Sequence, residues 1–156
     1  MLCKDIAYLT YQSEQEYDYL KLFFYWDKVK KDALEPYDNR VNIKKSLIDL
    51  ATCCFYVYAD KKHINTSNRN SLDKIAKKLN ETYVAKNIAY GDSFGKTFKE
   101  FGIISALTRL SDKVYRIETL YSGVKNTVKD EKIEDSLLDS INYIILTFME
   151  LDKGTE

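Results

Sequence analysis

A single proline, Pro36, and five glycines punctuate 156 residues. A protein of short strands needs turn residues far more often than that. The same chain carries long runs in which apolar residues recur at steps of three and four, the period of an α-helix with one buried face. The expected fold is therefore all-α, a bundle of about five helices.

Two segments divide the chain. Residues 1–66 read as an N-terminal helical pair and residues 70–152 as a second helical unit, the whole forming one compact body. In the pair, Ser13-x-x-Glu16 has the form of a capping box ahead of a helix running from Tyr17 to Val29. Leu20, Leu22, Phe23, Phe24, Tyr25 and Trp26 leave that helix apolar around most of its circumference, as expected of a buried helix or one facing a partner. A second helix is expected from Val41 to Tyr58, with Leu47, Ala51, Cys54, Phe55 and Tyr58 on one stripe. The polar run from Asp60 to Asn70 is a loop, and His63 sits alone in it as a solvated side chain.

In the second unit, Leu72, Ile75, Ala76, Leu79 and Tyr83 give a third amphipathic helix that ends near Ala89. Tyr90-Gly91-Asp92-Ser93 follows as a turn where backbone can approach a ligand closely. Ile103, Leu107, Leu110, Val114, Ile117 and Tyr121 set a fourth helix after Gly102, with Gly123 just past its end. A fifth begins near Thr127 or Asp130 and runs to about Leu151 on the face Ile133, Leu137, Ile141, Ile144 and Phe148.

The last two helices carry opposite charge on their second faces. Arg109, Asp112, Lys113 and Arg116 form a mainly cationic stripe at i, i+3, i+4 and i+7. Glu131, Asp135, Asp139 and Asn142 form an acidic line at i, i+4, i+8 and i+11. That line turns apolar toward Leu146 and Met149, which places its acidic end in a cleft rather than in open water. Carboxylates one turn apart repel, and a hard cation such as Mg²⁺ relieves the repulsion with oxygen ligands. Arginine on the facing helix suits phosphate. The competing expectation is a pair of solvated faces joined by salt bridges.

Lys plus Arg and Asp plus Glu number 24 each, so no global field draws the chain to nucleic acid or to an anionic membrane. No apolar run approaches the ~20 residues needed to span a bilayer, and the N-terminus lacks a signal-type segment. Three cysteines, two of them adjacent, form a poor disulfide framework and fit a cytoplasmic protein with reduced thiols.

The runs YGDSF, FGIISALTRLSDKVYRI and DEKIEDSLLDSINYIILTFMEL resemble the nucleotide-modification-associated domain 1 family, a small helical domain of phages and of bacteria carrying phage genes. The resemblance covers about Leu72 to Leu151. Through it the chain is distantly similar to the MazG-like all-α nucleotide pyrophosphatases. It implies a MazG-like, dimeric helical bundle that binds a nucleotide with Mg²⁺ and can act as a nucleoside triphosphate pyrophosphohydrolase. Under that resemblance Glu131, Asp135 and Asp139 hold Mg²⁺, and Asp112 joins Glu131 and Asp135 in catalysis. Arg109, Lys113 and Arg116 take the phosphates, and Tyr90, Asp92, Asn142 and Tyr143 contact base or sugar. The pyrophosphatases' Glu-x-x-Asp motif meets Lys132 where its Glu belongs, and Asp112 alone stands for their Glu-x-x-Glu. A site with fewer acids and more cations suits holding phosphates better than activating water. The alternative is a non-catalytic phage accessory protein that binds a nucleotide, or a host protein through the aromatic first helix.

Overall fold

The computed structural model describes residues 16–125 and 132–153. Among these, six helices form and no strand does. They are α1 (Tyr19–Leu34), α2 (Arg40–Lys61), α3 (Arg69–Tyr90), α4 (Ser93–Phe101), α5 (Ile103–Tyr121) and α6 (Ile133–Lys153). The all-α expectation holds, with one helix more than was expected.

The packing order closes a ring. Helix α1 lies on α2, α2 on α6, α6 on α5, and α5 back on α1. Each contributes a stripe to one shared core. From α1 come Leu22, Trp26 and Val29, at steps of four and three. From α2 come Leu47, Leu50, Ala51 and Cys54; from α5, Leu110, Val114 and Ile117; from α6, Leu137, Ile141 and Ile144. Fully burying one such aliphatic side chain contributes about 1.5–3 kcal/mol. Stacked Tyr19 and Tyr121, with ring centroids 4.8 Å apart, join α1 to α5. Lys44 and Asp152 pair between α2 and the C-terminal turn of α6.

Local chemistry sets the ends. The first helix is capped by Asp18, whose carboxylate accepts from the Lys21 backbone N–H at 2.7 Å, so it starts two residues after Tyr17. The Ser13 of the expected capping box lies outside the described residues. Helix α1 is also less wrapped than its composition suggests, because Leu20 and Phe24 stay largely exposed. Helix α2 matches its expected stripe, and both Cys53 and Cys54 are fully buried.

Helix α3 behaves differently along its length. Leu72, Ile75 and Leu79 are buried, but no residue from 80 to 90 is. Its C-terminal half stands away from the bundle as a wall facing α6. Gly91 then ends α3 at φ 57°, with its N–H donating to Asn87 O at 2.9 Å. Asp92 follows at φ 53° and caps the extra helix α4. Gly102, at φ 65° and ψ −154°, lies in backbone territory that essentially only glycine enters. It lets α4 stop and α5 start with one residue between them.

Candidate functional site

The gap between the free half of α3 and the α5–α6 face is a cavity of about 280 Å³. That is near the lower end of small-molecule sites, which run from roughly 300 to 1,000 Å³. Helix periodicity builds its walls. Tyr83, Lys86, Asn87 and Tyr90 come from α3 at i, i+3, i+4 and i+7. Asp139, Asn142, Tyr143 and Leu146 come from α6 at the same spacing. Arg109 and Lys113, one turn apart, come from α5, and Asp92, Ser93 and Phe94 close one end from the start of α4.

The cavity mixes charge and aromatic surface. Asp139 lies at its centre of charge. Its Oδ1 accepts from Lys86 Nζ at 2.7 Å and its Oδ2 from Lys113 Nζ at 2.9 Å. Burial pushes the Asp139 carboxyl up, but the hydrogen bonds from the two lysines outweigh it and hold the group below its ordinary value. Arg109 lies over the Phe94 ring, 5.8 Å from its centroid, and its Nη2 donates to Thr97 Oγ1 at 3.4 Å. Phe94 stacks in turn near Tyr143, at 6.1 Å between centroids and 24° between planes. Asn142 is 91% buried in this lining, being 9% exposed, and its Nδ2 has no hydrogen-bond partner among the described residues. A buried donor of that kind costs about 1–3 kcal/mol until something accepts from it.

Seven residues singled out in the sequence meet here: Tyr90, Asp92, Arg109, Lys113, Asp139, Asn142 and Tyr143. The cationic stripe of α5 and the acidic line of α6 do face each other, through Lys113 and Asp139. The others lie elsewhere. Asp112 is exposed on α5, and Arg116 is half-buried beyond the cavity lining. Asp135 is exposed, and its Oδ2 accepts from the Lys132 N–H at 3.1 Å in the first turn of α6. Glu131 lies outside the described residues. Asp92 has a structural use as well, since its Oδ1 accepts from the Gly95 N–H at the start of α4.

The candidate acids among the described residues are not gathered into a Mg²⁺ donor set. Among the described residues no group of three or more His, Cys, Asp or Glu side chains is placed to hold a metal. Asp139, the acid inside the cavity wall that does not cap a helix, has both oxygens on ammonium groups.

Lys86 and Phe94 complete the site without having been marked by the stripes on α5 and α6. A signal for Lys86 exists: the set 83, 86, 87, 90 continues the buried Leu72–Leu79 face along α3 and turns it polar and aromatic. A signal for Phe94 exists too: Phe94, Phe98 and Phe101 recur at i, i+4 and i+7, the period of a short helix that follows the Tyr90–Ser93 turn.

Residues 86–151 match the model of a family described as nucleotide modification associated domain 1. The match spans every lining residue named above except Tyr83. No curated protein and no solved structure matches the chain.

Proposed function

We propose that this cavity binds a nucleotide, with phosphates on the α5 and α3 cations and the base against the aromatic wall. The observation that carries the reading is the composition of one cavity. Lys86, Arg109 and Lys113 supply cationic donors, Tyr90, Phe94 and Tyr143 supply flat surface, and the Asn142 amide supplies a buried donor. A phosphorylated, planar, hydrogen-bonding ligand uses all three, and base–aromatic stacking alone is worth about 1–3 kcal/mol per base. The domain description of residues 86–151 agrees with this ligand class.

Binding without turnover is the form of the reading that the donor set supports. Hydrolysis to a monophosphate and pyrophosphate needs Mg²⁺ and an activated water. Asp112 and Asp135 are not among the residues that line the cavity. In this reading the protein is cytoplasmic and forms a homodimer. The exposed Leu20 and Phe24 of α1 support pairing of two copies, and light scattering after size exclusion checks it.

The test is calorimetric titration of a nucleotide panel with and without Mg²⁺, with product analysis of each mixture. Saturable binding without metal, weakened by Arg109→Ala and with the nucleotide recovered intact, is the expected result. Release of pyrophosphate would establish a pyrophosphohydrolase. Absence of binding across the panel would overturn the reading and return both stripes to salt-bridged faces.

A further inference from the structure

Two accounts of Asp139 predict effects of opposite sign. A metal ligand is required for binding. An internal anion competes with it. In the cavity the Asp139 carboxylate bridges two lysines that come from different helices, Lys86 on α3 and Lys113 on α5, one on each oxygen. Two oxygens of one anion held by two ammonium groups is also the arrangement a phosphate takes. Arg109, one turn before Lys113, adds a third cation whose contacts, Thr97 and Phe94, carry no charge.

We propose that Asp139 is a built-in counter-anion that occupies the phosphate position between Lys86 and Lys113, and that an anionic ligand binds by exchanging with it. The inference deepens the nucleotide reading and rests on it for the identity of the natural ligand. Lys86 is half-exposed, so its ammonium can leave Asp139 without unpacking the bundle. The exchange is unfavourable for a singly charged anion, which merely replaces one carboxylate by another charge of the same size. A phosphate chain with two or more charges gains on all three cations at once. Asp139 therefore sets a threshold of charge and is a specificity-determining residue for polyphosphate over simple anions.

The experiment uses inorganic pyrophosphate as the probe, in the absence of divalent metal, with the whole chain as wild type and as Asp139→Asn. The asparagine keeps the size and loses the charge. The expected result is tighter pyrophosphate binding by Asp139→Asn, by about tenfold, for the removal of one half-buried competitor. Inorganic phosphate should gain by a larger factor than pyrophosphate, so that discrimination between the two anions narrows. Unchanged or weaker binding by a variant that circular dichroism shows to be folded would overturn the proposal. Should the variant fail to fold, the wild type decides: the ¹³C resonance of the Asp139 carboxylate must shift on saturation with pyrophosphate, and no shift overturns the proposal. The two readings fail separately. Nucleotide binding that is lost in Asp139→Asn sinks the counter-anion and spares the nucleotide site. Pyrophosphate binding that strengthens in Asp139→Asn, in a protein that ignores every nucleotide, does the reverse.

Discussion

The effect of Gly95→Ala should depend on the residue at position 92. An added Cβ at Gly95 would sit 2.7 Å from Asp92 Oδ2, 2.8 Å from Oδ1 and 3.1 Å from Cγ, closer than side-chain carbons approach such atoms. The obstacle is the end of a short side chain, so the collision itself is relieved by one rotation of Asp92. The cost is what that rotation breaks. Asp92 Oδ1 caps α4 by accepting from the Gly95 N–H at 3.3 Å, and losing a cap of this kind costs about 1 kcal/mol. Against it stands the gain from replacing glycine by alanine in a helix, about 0.5–1 kcal/mol. In the wild-type background the two nearly cancel. In an Asp92→Ala background the cap is already absent and the space is open, so Gly95→Ala should stabilise by about 0.5–1 kcal/mol. The coupling is then about 1 kcal/mol, near the cap's own worth. Urea denaturation followed by circular dichroism at equal m-values measures all four corners of the cycle. An equal gain from Gly95→Ala in both backgrounds would refute the argument, because it would mean that Asp92 does not cap α4.

Other perturbations test the core and the charge cluster. Leu47→Ala, at a fully buried position on α2, should cost about 2–5 kcal/mol in the same assay. Asp139→Asn should lower stability at neutral pH by about 0.5–1 kcal/mol, the scale of partly exposed ion pairs. The Asp139 carboxyl is depressed in the folded state. Its contribution is therefore present above its unfolded value and is lost on acidification, and the gap between variant and wild type should close as pH falls below about 4. Burial pushes the Cys53 thiol up to about 12 and raises Cys54 well above its ordinary range. In a Cys3→Ser background, neither should react with a thiol reagent at pH 8 until denaturant is added, and prompt native-state labelling would contradict the buried α2 face.

Much of the bundle was legible in the chain because burial on a helix leaves a period. The stripes Leu47–Tyr58 on α2, Leu107–Ile117 on α5 and Leu137–Ile144 on α6 each mark a face that a partner must cover. The site was legible where it reuses that period, as at Arg109 and Lys113, or at Asp139, Asn142 and Tyr143. Helix α4 does carry a period, Phe94, Phe98 and Phe101 at i, i+4 and i+7, but it is only nine residues long, and its start depends on Asp92 in a left-handed conformation that local hydrogen bonding sets. On α1 the pattern overstated burial: Phe24 is as apolar as Phe23, yet only packing decides which of the two has a neighbour.

Periodicity alone therefore determined that this chain is helical, which faces are apolar, and that a cationic and an acidic face occur on consecutive helices. Tertiary structure decided what those charges do. Spacing along one helix places Asp135 and Asp139 on a common line, but the free half of α3 reaches only Asp139. There Lys86 joins Lys113 on one carboxylate, while Asp135 stays exposed at the first turn of α6. Which of two equivalent acids meets a cation depends on where another helix leaves the bundle, and no period within α6 carries that distance.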